Sequence, residues 1–277
     1  MLSFVILHYN SLSDTQKCIK SILTSLNKEE ISIIIVDNAS IDHGGKFLED
    51  QYKNEKNVHV IMNNENYGFS KGNNIGCTYA KEYFNPDFIC VINNDIFIDS
   101  VDFVKVILEK YNETKFDVLG PHIWNTKRRY NQNPIQVISS LKEVNDALKR
   151  TRFSEKLLSS KAPILYYLYN RFYKPKPRLK KGLHGAALIF SKKYLDRYST
   201  TFPEITFMYG EEHLLYYRKI IDKLIFQYEP NLKVFHNHSA STSKSVKGVV
   251  GKWKFQQKYM KTALLELKEI YENNYRI

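Results

Sequence analysis

The sequence predicts an α/β fold with a mostly parallel central sheet flanked by helices. Three observations lead there. Over residues 1–121, short apolar runs rich in β-branched residues alternate with stretches in which apolar positions recur at helical spacing. The runs are apolar almost without interruption, as expected of strands buried on both faces. Several of them end in clusters of Asp, Asn and Ser, where loops leave a sheet. Strands alternating with helices imply right-handed crossovers and parallel pairing.

Each element has its own warrant. Ser3 to Leu7 is the first apolar strand, and Asp14 to Leu26 carries Cys18, Ile19, Ile22, Leu23 and Leu26 on one helical face. Ile31 to Val36 is a β-branched strand, Lys46 to Tyr52 a helix, Val58 to Met62 a third strand and Ser70 to Phe84 a helix. Phe88 to Ile92 is the fourth strand, followed by a helix from Val101 to Tyr111 and a strand from Asp117 to Leu119. The rhythm breaks after Pro121: residues 122–182 are basic, rich in Tyr and Asn, and read as a partly helical insertion over one face of the sheet. A strand returns at Ala186 to Phe190, then a helix around Glu211 to Ile221 and short strands at Leu224 to Tyr228 and Leu232 to Phe235. From Lys252 to Tyr271 an amphipathic C-terminal helix places Trp253, Met260, Leu264, Leu267 and Tyr271 on one face. The expected organisation is a catalytic domain over residues 1–241, with the insertion inside it, and a helical tail over 242–277.

The composition is that of a globular protein. Of 277 residues, 43% are apolar and 25% charged, which argues against wholesale disorder. No run approaches the apolar length of a spanning helix. Leu2 to Leu7 is too short for a signal-peptide core and has no basic flank. Cys18, Cys77 and Cys90 fit neither a disulfide framework nor a zinc site and read as reduced thiols of a cytoplasmic protein. The net charge of +12 is uneven: residues 1–121 sum to −6, residues 122–182 to +12 and residues 183–277 to +6. Such asymmetry points to an anionic partner or to a solvated basic face.

Open α/β sheets bind ligands beyond the carboxyl ends of their strands. Three polar clusters sit there: His8-Tyr9-Asn10, Asp37-Asn38-Ala39-Ser40 and Asn93-Asn94-Asp95. An acid after the second strand can accept from a base N–H or a ribose hydroxyl. Asp95 can offer a hard oxygen to Mg²⁺ or Mn²⁺ bridging two phosphates. Residues Asn64 to Asn74 follow the third strand, carry Gly68 and Gly72, and open a helix whose N-terminus favours phosphate. Neither a dinucleotide fingerprint after the first strand nor a Walker A loop is present, which argues against a dehydrogenase and a P-loop enzyme.

Taken in order, VILHYNS, IIIVDNAS, NENYGFSKGNNIG, FICVINNDIFI, HGAALIFSKKYL, FMYGEEHLL and VFHNHSAS resemble the family 2 glycosyltransferases of GT-A fold, nearest the bacterial rhamnosyltransferase-like branch that builds surface polysaccharides. The resemblance covers residues 1–121 and about 183–241, leaving the basic segment and the tail outside it. It implies inverting transfer from a nucleotide-diphosphate sugar, with UDP or dTDP as the nucleotide and dTDP-L-rhamnose or a UDP-hexose as the donor. It places Asp37 on the pyrimidine, with Tyr9, Asn10, Asn38, Gly68 and Asn94 framing the nucleotide and Lys71 near the diphosphate. Asn93-Asn94-Asp95 stands at the family's Asp-x-Asp-like position, with Asn in its first place, so Asp95 becomes the principal ligand of Mn²⁺ or Mg²⁺. His236 completes that site, with His238 in reserve. Glu211-Glu212 stands where the family carries a Glu-Asp pair, which makes Glu212 the base and Glu211 the second choice or an acceptor binder. His184, Gly185 and Ala186 line the donor and acceptor pocket.

The basic segment interleaves aromatics and cations at Lys127 to Tyr130 and at Arg171 to Lys181. With the tail helix, it fits an anionic membrane surface at the inner face of the cell membrane, where a lipid-linked glycan acceptor would lie. The tail fits equally well packed on the catalytic domain or in a homodimer contact. A nucleic-acid-binding protein on an α/β scaffold would explain the charge but would leave Asp95, Glu211, Glu212 and His236 without a purpose; under the transferase reading no nucleic acid is expected. An inactive transferase fold that only binds glycan is the remaining alternative.

Overall fold

The computed structural model describes residues 1–159, 163–172, 180–237 and 249–277. Its first half follows the expected alternation: β1 (Leu2–His8), α1 (Leu12–Ser25), β2 (Ile31–Asp37), α2 (Gly44–Tyr52), β3 (Val58–Met62), α3 (Gly68–Phe84), β4 (Phe88–Asn93), β5 (Ile96–Phe97), α4 (Phe103–Thr114) and β6 (Val118–Asn125). Two-residue strands β7 (Tyr130–Asn131) and β8 (Ile135–Gln136), then helices α5 (Leu141–Ser159) and α6 (Pro163–Phe172), make up the basic segment. The chain continues through β9 (Lys181–Gly182), β10 (Ala187–Ser191), α7 (Lys192–Arg197), α8 (Glu211–Asp222), β11 (Phe226–His236) and α9 (Val249–Asn273).

Among the described residues the main sheet has nine strands, in the order β3-β2-β1-β4-β10-β6-β11-β5 with β7 alongside β6. β1, β2, β3 and β4 pair in parallel. β10 runs antiparallel to both β4 and β6, and β6 is parallel to β11. The carboxyl ends of β1, β2, β4, β6 and β11 therefore share one edge of the sheet, and β10 begins there. The order reverses at β1, which opens a crevice between the loops after β1 and β4. β2, Ile-Ser-Ile-Ile-Ile-Val-Asp, is buried along its whole length because α1 and α2 cover one face and α3 the other.

Two differences from the expected elements have physical causes. The strand expected at Asp117 to Leu119 runs on to Asn125, past Pro121, because it gains partners on both sides: β11 along its length and β7 at its end. The two short strands expected at 224–228 and 232–235 are one, β11, with a register shift between Glu229 and Lys233 where Pro230 cannot donate to the ladder.

The tail helix packs on α5 and α8. Leu264, Leu267 and Ile270 are buried against Val144, Ala147 and Leu148 of α5 and Leu214 and Tyr217 of α8. Met260 and Tyr271 lie against that cluster, and Trp253 meets the rings of Tyr166 and Tyr167. The apolar face that suited a membrane surface is thus spent within the chain. Among the described residues no helix is long and apolar enough to cross a membrane.

Candidate active site

The loops after β1 and β2 are stitched together. The Asn10 N–H donates to Ser40 Oγ at 3.0 Å, the Ile41 N–H to Asn10 Oδ1 at 2.9 Å, and the Ser40 N–H to Asp37 Oδ1 at 3.1 Å. Asn10 and Ala39 take left-handed backbone conformations to make these turns. Asp37 is thereby fixed at the carboxyl end of β2, its other face closed by Gly45, where a Cβ would stand 2.1 Å from Oδ2.

Asn38 works inward. Its amide donates to Asn66 Oδ1 at 2.8 Å and to the Gly68 carbonyl at 3.1 Å, and it accepts from Asn63 Nδ2 and the Tyr67 N–H at 3.1 Å each. One side chain holds the whole loop after β3. Gly68 has a reason in the fold itself: its φ is +78°, and a Cβ would fall 2.1 Å from the Phe207 carbonyl oxygen. The Asn94 amide donates to Thr15 Oγ1 at 2.9 Å, tying the Asn93-Asn94-Asp95 loop to α1. Lys71 is exposed, with its ammonium 4.3 Å above the Tyr67 ring.

Asp95 and His236, from the ends of β4 and β11, come together. Asp95 Oδ1 and His236 Nε2 are 3.1 Å apart, both residues are buried, and the Asn237 N–H donates to the Asp95 carbonyl. His238 lies outside the described residues. A residue that sequence reasoning missed stands behind the pair: Gln132 Oε1 accepts from His236 Nδ1 at 2.8 Å. The His236 tautomer with its proton on Nδ1 turns the Nε2 lone pair toward Asp95. A carboxylate oxygen and an imidazole nitrogen side by side are of the donor types that suit Mn²⁺, or Mg²⁺ through the oxygen. Among the described residues no third His, Cys, Asp or Glu joins them, so further ligands would come from a bound phosphate or water.

Gln132 also reaches the other side of the crevice. Its amide nitrogen lies 3.4 Å from His184 Nε2, and His184 Nδ1 accepts from the Ala186 N–H at 3.0 Å. His184 therefore carries its proton on Nε2. Turning the Gln132 amide over would satisfy that proton and donate to His236 Nδ1, leaving His236 with an Nε2–H toward Asp95. The two amide orientations thus present a lone pair or a proton to Asp95. Burial, aided by His236, holds the His184 imidazole below its ordinary pKa, while the Glu212 carboxylate pulls the other way.

Glu211 and Glu212 open α8, after Tyr209 and Gly210, which both have positive φ. Three residues of α9 hold this loop: Gln256 bonds the Tyr209 hydroxyl, Tyr259 stacks on Phe207 with centroids 5.0 Å apart, and Ala263 sits where a Cβ at Gly210 would approach to 2.8 Å. The two acids differ in environment. Glu212 is half-buried, and its Oε1 accepts from the Gly185 N–H at 3.2 Å, beside His184. Glu211 is 6% exposed, with Oε1 buried and without a hydrogen-bond partner among the described residues. Burial first, then the Glu212 charge, push its carboxyl up to about 8, so it is protonated at neutral pH.

This has a measurable consequence. Below the ordinary carboxyl range the folded and unfolded chains both carry the Glu211 proton. From there up to about 8 the unfolded chain has lost it and the folded chain has not. Stability falls through that window, by about 1.4 kcal/mol per pH unit for a fully buried carboxyl. Glu211→Gln removes the effect, so the melting temperature of the variant relative to wild type should rise steadily from pH 5 to pH 8. A difference independent of pH would show that the carboxyl is not held neutral.

The site thus assembles Asp37, Asp95, His236, His184, Gly185 and Glu212 along one edge of the sheet. Comparisons with known proteins bear on the family and the fold. The family model described as "Glycosyl transferase family 2" matches residues 3–199. The low-salt glycan biosynthesis hexosyltransferase Agl10 of Haloferax volcanii is 27% identical over 124 residues, which are 45% of this chain and 37% of that relative. Among solved structures, S. aureus TarS in complex with UDP-GlcNAc superposes with a TM-score of 0.55 at 16% identity, over 87% of this chain and 60% of that one. The mannosyltransferase PcManGT of Pyrobaculum calidifontis, in complex with GDP-Man and Mn²⁺, superposes with a TM-score of 0.53 at 10% identity, over 98% of this chain and 75% of that one. The chain spans well under half of Agl10 and less than two thirds of TarS. At these identities the structural matches establish the fold, which is GT-A.

Proposed function

The chain belongs to glycosyl transferase family 2, and from that premise we propose that it moves a sugar, with inversion, from a nucleotide-diphosphate sugar to a hydroxyl of a growing, lipid-linked surface polysaccharide. The observation that carries this reading is the convergence of Asp37, the Asp95–His236 pair and Glu212 at one strand-end crevice. Asp37 takes the base or ribose of the donor, in a loop that Asn10 and Ser40 hold rigid. Asp95 and His236 would hold a divalent cation, which would supply positive charge against the leaving diphosphate.

The reaction forms a bond between the acceptor oxygen and the anomeric carbon as the bond from that carbon to the diphosphate oxygen breaks. Glu212 takes the acceptor proton. A base must be ionised and open to the incoming hydroxyl, and Glu211, buried and neutral, is neither. Glu211 stays enclosed and neutral, while the Gly185 N–H fixes the angle of Glu212. Gln132 is a positioning residue that sets the tautomer of His236.

Support for the donor class comes from the relatives: TarS is described with UDP-GlcNAc and PcManGT with GDP-Man and Mn²⁺. dTDP-L-rhamnose or a UDP-hexose is our reading of the donor, on the pyrimidine preference implied by the sequence motifs. A thermal-shift panel of UDP, dTDP, GDP, CDP and ADP, with and without Mn²⁺ or Mg²⁺, tests it. One pyrimidine diphosphate at about 100 times its Kd should stabilise the fold by roughly 2.7 kcal/mol, with metal required for the full shift. Stabilisation by GDP or ADP alone would overturn the pyrimidine assignment. No shift with any nucleotide would overturn the donor site.

A further inference from the structure

Away from this site, α5 and α9 enclose an open groove of about 810 Å³. Its walls carry Arg152 and Lys156 from α5 and Lys254, Lys258 and Lys261 from α9. Glu155 is the sole acid among the groove's lining residues, and its carboxylate binds Lys261 at 2.7 Å. At 100° per residue, these α9 lysines lie on the side of the helix opposite Gln256, Tyr259 and Ala263, which hold the Glu211-Glu212 loop. The groove is therefore separate from the crevice.

One end of it meets an apolar ridge. Gln257, in the groove wall, donates to the Tyr166 hydroxyl of α6 at 3.1 Å. On α6, Leu165 is 47% exposed and Leu168 40%, with Tyr167 also exposed. Phe153, next to Arg152, is exposed and meets the Tyr169 ring. Exposed leucines beside a cationic groove are costly in water and serve no purpose on a nucleic acid, which needs flat rings for its bases. They match a bilayer, where leucine enters the acyl boundary, tyrosine sits at the headgroups and lysine meets anionic phosphate.

We propose that the α5–α9 groove and the α6 ridge together form a docking surface for an anionic lipid bilayer. The ridge enters the interface and the groove cations Arg152, Lys156, Lys254 and Lys258 face the headgroup phosphates, with Lys261 held by Glu155. This gives a place to α5 and α6 of the basic middle segment, which the transferase chemistry leaves unused. It extends the reading of a lipid-linked acceptor but is tested without donor or acceptor, so the two can fail separately.

The test is flotation of the full chain with vesicles of phosphatidylcholine alone or mixed with phosphatidylglycerol, at low and high salt. Binding should require phosphatidylglycerol and fall with salt. Each lysine neutralised near the surface should lower partitioning roughly fivefold, so Lys254→Gln with Lys258→Gln should lower it roughly twenty-five-fold. Leu165→Ser with Leu168→Ser should weaken binding at high salt, where the apolar contribution remains. Circular dichroism and melting temperature confirm that each variant is folded. Equal flotation with both vesicle types, or by wild type and the lysine variant, would overturn the proposal. So would salt-dependent retention on single-stranded RNA or polyphosphate without flotation, which would make the groove a site for a soluble polyanion. Flotation by a chain that transfers no sugar would leave the docking surface standing and remove the transferase reading.

Discussion

Glu212→Gln is expected to lower transfer by about 10²–10⁴-fold while leaving the donor nucleotide bound. The substitution keeps the shape of the side chain, and its amide oxygen can still accept from the Gly185 N–H that holds Glu212 Oε1 at 3.2 Å. Only the capacity to take a proton is lost, so the effect should fall on kcat, with the KM for donor little changed. Glu212→Asp should fall between the two, because a carboxylate one methylene shorter loses both the Gly185 contact and its reach to the acceptor. Glu211→Gln distinguishes the two acids. A buried neutral carboxyl and an amide are similar hydrogen-bond donors, so this variant should keep most of its rate. A large loss in Glu211→Gln with a small one in Glu212→Gln would reverse the assignment.

The contrast between these adjacent acids marks the boundary of what the sequence can carry. Two carboxylates at a helix start are legible as a pair; that one faces the crevice and the other is enclosed depends on α9 packing behind Gly210, more than forty residues on. Asp37 and Asp95 were legible because they end apolar strands, and strand ends are where such sheets bind ligands. His236 came from the family resemblance, which set it beyond the expected strand at 232–235; it is the last residue of β11. Gln132 was not. It lies between two-residue strands in a segment without periodicity, and its role arises only when β11 brings His236 beside it, 104 residues later. The amides of Asn38 and Asn94 were placed on the nucleotide because sequence shows which loop a residue is in but not which way it points; both point into the fold. The tail shows the same limit at larger scale. Its periodicity gave the helix and the apolar face, but an apolar face has no address. Leu264 and Leu267 met α5 and α8 because those helices present the complementary stripe.

Asp95→Ala is expected to uncouple nucleotide binding from the divalent cation. Wild type should show a larger thermal shift with nucleoside diphosphate and Mn²⁺ together than with either alone; in the variant the joint shift should shrink to that of the nucleotide. The expectation rests on the pair: Asp95 Oδ1 and His236 Nε2 stand 3.1 Å apart, and Gln132 sets whether Nε2 presents a lone pair or a proton to Asp95. Removing Asp95 leaves one imidazole nitrogen, a weak anchor for a hard cation. Asp95→Asn keeps the size and one oxygen but loses the charge, and should retain a fraction of the metal response. Gln132→Leu keeps both ligands and loses the hydrogen bond that orients the ring, which should cost about 10–100-fold in metal affinity while metal-free nucleotide binding stays as it was. Titration of Mn²⁺ followed by its own paramagnetic signal reads these affinities without any turnover. If the joint shift survives Asp95→Ala, the diphosphate alone holds the cation, and the Asp95–His236 contact is a bond that joins the ends of β4 and β11 rather than a seat for a metal.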